Sequence, residues 1–357
     1  MNAVVSTFEV PGNVSRLFKT KQEALLQKKA KIELVQDEAC GGHIHNRLYD
    51  PSLISHDLNY CTSNILHLKD SMSVINDIQG FIHELDDLKV VDIGCGQGEF
   101  VAELSSIGLL AYGYDPVLRY DSGNLFPKYF EESDIAAYSD SAVLFTMRCV
   151  LPHIENPWAF LDQLLDSEQG APRKYAYIEY QQTEWIAKNG IWQQISHDHV
   201  NLFTKLDFQR RYHVVNTGEF AHGEWRWILV AKSDGLLTPF EAPAISISNI
   251  NELMEKRQKD LERISELDYP LAIYGAAGKG AMLAHAISSS FPVNEELVAV
   301  DQDSNRTGLF LECSGTEVKP LDFLRNKQQK ERRIIVANPN HLSWLKTEIP
   351  EAKVLIL

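Results

Sequence analysis

Two acids and three glycines, spaced as in a ligand-binding turn, are the clearest chemical feature of this 357-residue sequence. Asp92 lies in an apolar run that is followed by Gly94, Gly96 and Gly98 before a helical pattern begins. Glycines in such a turn let the backbone pass close to a bound molecule. Asp115 ends the next apolar run, where a carboxylate can accept both hydroxyls of a ribose. The pattern predicts a nucleoside ligand, although its spacing is not the G-x-G-x-x-G of dinucleotide binders.

Histidines that could transfer a proton lie in two later loops. His153 belongs to MRCVLPHIENP, and His197, Asp198 and His199 belong to WQQISHDHVNLFT. A neutral histidine suits the removal of a proton next to a ketone, because its pKa lies near the working pH. The alternative for His199 is a histidine packed under the edge of the sheet.

A second glycine-rich turn, YGAAGKG, lies near the C-terminus and contains Gly275, Gly278 and Lys279. Backbone amides at a helix start, with a lysine beside them, favour a phosphate group. The order of lysine and glycine differs from a Walker loop, so ATP hydrolysis is not expected. We expect this turn to hold the diphosphate of a nucleotide-linked substrate between two domains; the alternative is a turn that only packs the second sheet.

Strands that alternate with helices predict an α/β protein with a Rossmann-like, doubly wound sheet and a second, smaller α/β domain. We expect an N-terminal helical or irregular segment over residues 1–85, with helices near 22–34 and 63–85. A ligand-binding domain over residues 86–235 and a C-terminal α/β domain over residues 236–357 follow.

Charge and cysteine content exclude several classes of function. Lysine and arginine total 34 against 49 acids, a net charge of −15, which disfavours binding to nucleic acid or an anionic membrane. Five scattered cysteines without a CxxC pair indicate a reducing, cytoplasmic setting. The N-terminus does not resemble a signal peptide, and no apolar run approaches the roughly 18 residues of a membrane span.

The first turn also resembles a known family. VVDIGCGQGEF followed by GYDP is similar to motifs I and II of the class I S-adenosylmethionine-dependent methyltransferases. The resemblance implies S-adenosylmethionine (SAM) as cofactor, with Asp92 orienting its amino acid end and Asp115 holding its ribose. The other cofactor-binding candidates of the two motifs are Gly94, Cys95, Gly96, Gly98, Tyr114 and Pro116.

The histidine loops resemble one branch of these enzymes, the sugar C-methyltransferases. RCVLPHIENP is similar to that family's RNVLEH-x-x-DP, and ISHDHVNLFT to its YHEHLSYFS. HGEWRWILVAK, YGAAGKGAMLAHAI and VDQDSNRTGLFLECSGTEV resemble later segments in the same order, from about residue 60 onward. Members methylate carbon 3 of nucleotide-linked 4-keto deoxysugars, so the resemblance implies a nucleotide-diphosphate sugar as the small-molecule substrate.

The same resemblance implies roles for individual residues. His199 becomes the general base, Asp198 its orienting neighbour, and His153 a ligand of the substrate near the reacting carbon. Tyr60 and His197 become substrate-binding candidates. The enolate formed by proton removal would attack the methyl group in line, with positioning supplying much of the rate.

The sequence departs from the family at several points. The family's zinc module of CxxC pairs is reduced to Cys40, His43 and His45, so no metal site is expected. Ser196 replaces the family's tyrosine, and Cys149 replaces its asparagine. These differences weaken the substrate prediction more than the cofactor prediction.

Three other functions remain open from the sequence. One is an O- or N-methyltransferase that kept the scaffold and changed its acceptor. Another is an NAD-dependent oxidoreductase, since Asp301 follows LVAV after the second glycine turn and could hold a ribose. The last is a non-catalytic binding protein.

Overall fold

The protein was examined as a computed structural model, which describes residues 7–36, 42–54, 65–82, 88–166, 173–233, 245–267, 270–291, 297–326, 329 and 332–357. Two residues named above, Cys40 and Tyr60, lie outside the described residues.

The secondary structure alternates between strands and helices along most of the chain. The strands are β1 (Phe8–Pro11), β2 (Leu17–Phe18), β3 (Lys29–Ile32), β4 (Leu34–Gln36), β5 (Ile44–Asn46), β6 (Lys89–Ile93), β7 (Leu110–Tyr114), β8 (Leu125–Phe126), β9 (Val143–Arg148), β10 (Lys174–Gln181), β11 (Asn201–Leu202), β12 (His213–Phe220), β13 (Trp225–Ala231), β14 (Leu271–Tyr274), β15 (Val298–Asp301), β16 (Phe310–Leu311), β17 (Glu317–Pro320), β18 (Arg333–Val336) and β19 (Lys353–Leu355). The helices are α1 (Lys21–Leu25), α2 (Ile65–Ile82), α3 (Glu99–Ser106), α4 (Glu132–Ile135), α5 (Pro157–Leu165), α6 (Thr183–Asn189), α7 (Lys205–Gln209), α8 (Ile247–Ser265), α9 (Lys279–Ser290), α10 (Asp322–Arg325) and α11 (Leu342–Glu348).

The first sheet has the order β12-β13-β10-β9-β6-β7-β8. All of its pairings are parallel except those of β13, which runs antiparallel to both β10 and β12. The chain leaves β6 for β7 on one side and later returns to β9 on the other. The crevice at the carboxyl ends of β6 and β9 is therefore the topological switch point, where open α/β sheets bind their ligands.

Side chains alternate between two apolar layers on this sheet, because successive residues of a strand face opposite sides. Val90 and Leu144 pack on one face with Tyr177, whereas Val91 and Phe145 belong to the core on the other. These residues are at most 1% exposed. Helices cover both faces, which confirms the predicted doubly wound α/β architecture.

The second sheet has the order β19-β18-β14-β15-β17-β16-β2. Five neighbouring strands, from β19 to β17, are parallel, and β16 and β2 add an antiparallel edge. Its own switch point lies between β14 and β18, at the second glycine turn. The predicted second α/β domain is therefore present.

The N-terminal segment is richer in strands than the sequence predicts. The helix expected near 22–34 is only the five residues of α1, and β3 and β4 follow it. β2 joins the second sheet, while β5 pairs with β11 beside the first sheet. The short segments lack an amphipathic helical face of their own and are held by strand partners distant in sequence, which explains the wrong helical prediction.

A shared apolar core joins the N-terminal segment to the region after β10 and to the second sheet. It includes Val14 from the N-terminal segment, Trp192 from the region after β10, Ile250 of α8 and Leu283 of α9. Among the described residues, no helix combines the length and the apolar character that a membrane span requires. Within the described part of the chain, Cys95, Cys149 and Cys313 form no disulfide bond.

Candidate active site

The first glycine turn packs so closely against its neighbours that only glycine fits at Gly94. Gly94 has a φ of +75°, and a Cβ on it would lie 2.4 Å from Cγ2 of Val150, in the turn after β9. The two turns at the switch point are therefore in direct contact. The amide of Gly94 donates to the carbonyl of Tyr114 at 2.8 Å, which ties the turn to the end of β7.

Asp115 lies against this turn with both carboxylate oxygens engaged. Oδ2 accepts from the amide of Gly96 and Oδ1 from the amide of Val117, each at 2.9 Å. The amides fix the carboxylate at the carboxyl edge of the sheet. Because each carboxylate oxygen can accept more than one hydrogen bond, Asp115 keeps acceptor capacity for ribose hydroxyls.

Asp92 is buried beneath the turn and is 2% exposed. Its Oδ1 accepts from Oγ1 of Thr146 on the neighbouring strand β9 at 2.7 Å. Burial raises the pKa of Asp92 to about 7, although the charge of Arg148 and the bond from Thr146 oppose the rise. Asp92 therefore packs beneath the turn. Its charge changes with pH near neutrality.

The other predicted cofactor residues take different positions. Cys95 is 6% exposed and packs inside the turn, while Pro116 follows Asp115 and is half-buried. The side chain of Tyr114 is buried in an aromatic cluster, where its hydroxyl lies 3.0 Å from that of Tyr138. β7 directs this side chain into the core and only the main chain of Tyr114 reaches the turn, so cofactor binding by Tyr114 stays a prediction for its main chain.

These residues fit SAM. Gly94 and the N-cap residue of α3, Gly98, have positive φ, and a Cβ on either would collide with Val150 or Leu125, so the backbone keeps this turn only with glycine. Asp115 offers carboxylate oxygens to a ribose, and Asp92 adds an acid near the expected amino acid end. The negative charges of these two acids also suit a cofactor that carries positively charged ammonium and sulfonium groups.

The tertiary structure brings His153, Asp198 and His199 together at the carboxyl edge of the first sheet. Nδ1 of His153 lies 2.6 Å from the carbonyl oxygen of Asp198. The rings of His153 and His199 are 4.7 Å apart between centroids, and one donor atom of each of the three residues lies within 4.8 Å of the others. The short 3-10 helix Leu151–His153 after β9 and the loop after α6 supply them.

His199 is positioned to act as a base. Nδ1 lies 3.2 Å from Nε2 of Gln194, and a hydrogen bond to the main chain of Gln194 raises the pKa of the ring, so in the neutral form one ring nitrogen carries a proton and the other can accept one. Burial lowers the pKa of His199; Asp198 opposes this, whereas the positive charges of His153 and Lys279 lower it further. The imidazole is therefore neutral at pH 7, the form that can accept a proton.

Asp198 carries a stabilised negative charge beside that base. Its Oδ1 accepts a hydrogen bond from Oγ of Ser196 at 2.5 Å. Burial by itself would raise the pKa of Asp198, but His199, His153 and the Ser196 hydroxyl outweigh it and lower the pKa. The residue that departs from the family pattern, Ser196, thus orients the predicted partner of the base.

His197 and His43 are structural. His197 is fully buried, and its Nε2 lies 3.2 Å from both the amide and the carbonyl of Asp50. The ring is enclosed against the N-terminal segment, where these contacts favour a structural role over the predicted binding of substrate. His43 accepts from Nε1 of Trp158 at 3.0 Å, which leaves its Nε2–H for Oδ1 of Asn201 at 2.8 Å. Both of its nitrogens therefore have protein partners rather than a metal.

The second glycine turn is occupied by protein groups. The amide of Gly275 donates to the carbonyl of Val300, and that of Gly278 to the carbonyl of Val14. Lys279 is mostly buried, and its Nζ lies 2.5 Å from Oε1 of Glu224. These groups are engaged with the protein in this structure, and the expected role of the turn in holding a diphosphate stays a prediction.

Glu224 had not been identified from the sequence, although it lies in the HGEWRWILVAK segment. It is 4% exposed and precedes β13, so it belongs to the first sheet's side of the molecule. Asn338 and Asn340, from the turn after β18, also donate to its Oε2, at 3.1 and 2.8 Å. Only the tertiary structure brings these three donors to one carboxylate.

The two glycine turns share one hydrogen-bonding pattern, in which a main-chain amide donates to the aspartate after the next strand. The amide of Ala276 donates to Oδ2 of Asp301 at 2.8 Å, as Gly96 does to Asp115. Asp301, however, also faces Nη1 of Arg306 at 3.2 Å. Its carboxylate is thus already paired with a cation, which disfavours a ribose there and the oxidoreductase alternative.

The comparisons with known proteins agree with this geometry. Residues 43–216 match the family model of a methyltransferase domain, and no curated protein matches the chain. The match, the strand order and the turn with its two acids define a class I methyltransferase domain. The chain is accordingly a SAM-dependent methyltransferase.

Similar solved structures each align with about half of the chain. A SAM-dependent methyltransferase from Anabaena variabilis is 16% identical, with a TM-score of 0.30 over 47% of this chain and 91% of that one. The magnesium protoporphyrin IX methyltransferase from Synechocystis, with bound S-adenosylhomocysteine, is 15% identical, with a TM-score of 0.35 over 47% and 84%. A SAM-dependent methyltransferase from Aquifex aeolicus is 14% identical, with a TM-score of 0.32 over 47% and 93%.

Proposed function

We propose that this methyltransferase adds a methyl group to a carbon next to the ketone of a nucleotide-linked keto sugar, with His199 as the general base. The observation that carries the proposal is the cluster of the buried Asp198 with the half-buried His153 and His199, at the same edge of the sheet as the glycine turn. A neutral imidazole beside a fixed carboxylate is suited to take a proton from carbon.

Proton transfer begins at the unprotonated ring nitrogen of His199. The C–H bond next to the ketone breaks, the proton moves to that nitrogen, and the electron pair becomes an enolate on the substrate. Asp198 stabilises the imidazolium that forms. Bound SAM supplies the electrophilic methyl group that the enolate carbon takes.

His153 restricts where the substrate sits. Its Nδ1 is held by the carbonyl oxygen of Asp198 at 2.6 Å, so the opposite edge of the ring faces away from the loop that holds His199. In the doubly protonated ring, Nε2–H would donate a hydrogen bond to the ketone oxygen and place the acidic carbon near His199. Holding two reacting groups in the right geometry can lower an activation barrier by about 7–11 kcal/mol, and this hydrogen bond would contribute to that positioning.

We propose that the nucleotide portion of the substrate binds to the second domain. Lys279 is close enough to influence the pKa of His199, so the second domain borders the histidine cluster. A diphosphate could pair with Lys279 by sharing it with Glu224 or displacing that carboxylate. Titration with a panel of nucleoside diphosphates tests this part; absence of binding by all of them would point to a different acceptor.

Hydrogen–deuterium exchange tests the base directly. The protein is incubated in D2O with S-adenosylhomocysteine and a nucleotide-linked 4-keto deoxysugar, and loss of the proton at carbon 3 is followed by NMR. We expect exchange with the native chain, loss of exchange in His199→Asn, and unchanged exchange in His213→Asn, whose side chain is exposed on β12. Methylation of a hydroxyl or amine without carbon exchange would instead identify an O- or N-methyltransferase.

A further inference from the structure

Arg148 ends β9 directly beside the first glycine turn. It stands two residues before Val150, whose side chain touches Gly94. Its guanidinium carbon lies 4.5 Å from the centre of the Phe100 ring in the first turn of α3, and its Nε donates to Oγ of Ser71 of α2 at 3.1 Å. The guanidinium therefore bridges the two helices that flank the turn.

A buried acid fixes Arg148 from behind. Oε2 of Glu179, on β10, lies 3.6 Å from Nε of Arg148, and the Glu179 side chain is fully buried while that of Arg148 is 12% exposed. The hydroxyl of Tyr177 donates to the other oxygen of Glu179 at 2.7 Å. Such a held guanidinium is pre-organised, because its orientation is set before any ligand arrives.

The guanidinium has unused hydrogen-bonding capacity. Nη2 is buried and makes no hydrogen bond among the described residues. The charge of Arg148 also opposes the rise that burial causes in the pKa of Asp92 and of Glu179. The positive charge of Arg148 therefore lies at the end of the turn, beside the acids Asp92 and Glu179.

We infer that Arg148 binds the carboxylate of the cofactor's methionine moiety and makes the site selective for ligands that carry it. The inference rests on the assignment of SAM to the first glycine turn. An arginine pairs with a carboxylate through two parallel N–H···O bonds, a geometry that lysine cannot reproduce. Asp92, on the adjacent strand, is then left to the ammonium group of the same moiety.

Two ligands that differ only in the carboxylate distinguish a carboxylate-binding role of Arg148 from a purely structural role in the turn. The probes are S-adenosylhomocysteine and its decarboxylated analogue, which keeps the ammonium group and lacks the carboxylate. Isothermal titration with the native chain should show at least about tenfold tighter binding of S-adenosylhomocysteine, the usual gain from a charge-assisted hydrogen bond.

Removal of Arg148 should abolish that preference. Arg148→Met by itself leaves Glu179 buried and unpaired, so the double variant Arg148→Met/Glu179→Gln serves as the second test and keeps an acceptor for Tyr177. We expect it to bind both ligands alike, with the affinity that the native chain has for the analogue. Arg211→Met is the matched control, since Arg211 also covers an aromatic ring, that of Trp158 at 4.8 Å.

The outcomes are distinguishable. A preserved preference in the double variant, or an equal loss for both ligands, would overturn the role of Arg148. Failure of the native chain to bind S-adenosylhomocysteine at all would contradict the assignment of SAM itself, and the inference with it.

Discussion

Nζ of Lys279 lies 2.5 Å from Oε1 of Glu224, and this ion pair joins the second glycine turn to the chain just before β13. Both side chains are largely buried, so neither charge is well solvated. The pair connects the two α/β units beside the histidine cluster. It also places a positive charge near the proposed base without leaving that charge uncompensated.

The first prediction concerns this ion pair and stability. Glu224→Ala should lower the free energy of unfolding by about 3–5 kcal/mol, because it leaves a buried ammonium group unpaired. Glu219→Ala, which breaks the half-exposed pair with Arg226, should cost less than about 1 kcal/mol. Urea denaturation measures both. Equal small losses would mean that Lys279 finds another partner.

The same pair predicts a dependence on pH. Burial would raise the pKa of Glu224, but Lys279, Asn338 and Asn340 outweigh it and lower the pKa. The stabilisation is therefore present above the ordinary pKa of about 4.5 and is lost as the pH falls through the lowered value. Native and Glu224→Ala proteins should converge in stability in acid; a constant difference would contradict the assignment.

The second prediction concerns the acid limb of catalysis. Because Lys279 lowers the pKa of His199, replacement by Met should raise that pKa and move the acid limb of kcat/KM to higher pH. Lys256→Met is the control, since Lys256 pairs with Asp260 on α8, at 2.6 Å. A pH–rate profile that does not move in Lys279→Met would argue against His199 as the titrating base.

The third prediction concerns Asp92. Its pKa is raised to about 7 in the folded protein, so its contribution to stability is largest in acid and is lost as the pH rises from its unfolded value toward 7. Asp92→Asn should remove this slope, at most about 1.4 kcal/mol per pH unit. Thermal or urea unfolding between pH 4 and 8 measures it. An unchanged slope in the variant would place the titration elsewhere.

The fourth prediction concerns metals. His153, Asp198 and His199 have donor atoms close enough together for an ion, yet Lys279 adds a positive charge to the same region. Ser196 and the carbonyl of Asp198 already hold two of these groups by hydrogen bonds. We expect dialysis against EDTA to leave turnover unchanged. Loss of activity that Zn²⁺ or Mn²⁺ restores would show that the cluster binds a metal.

Local pattern was sufficient to predict much of the molecule. The turn from Asp92 to Gly98 and the acid at 115 depend on strand ends, positive φ and a helix start, which are properties of neighbouring residues. The alternation of strands and helices likewise predicted both sheets. The proximity of His153 to His199 followed from the family resemblance, and the structure places their rings side by side.

Direction of side chains was not predictable in the same way. Tyr114 and His197 lie in the expected segments, but their rings point into packed regions. A short loop does not show from its sequence which side chains will meet a partner from a distant segment. His197, for instance, meets Asp50, which lies 147 residues earlier.

The sequence by itself determined the α/β class, the position of the cofactor turn and the acids that border it, because these are set by periodicity and by the special backbone freedom of glycine. Only the tertiary structure decided which charges are paired. Arg148 meets Glu179 and Lys279 meets Glu224 across different strands and domains, and burial makes those pairings decisive for the pKa values nearby. Whether a lysine is a phosphate ligand or half of a buried ion pair depends on a contact that no local pattern contains.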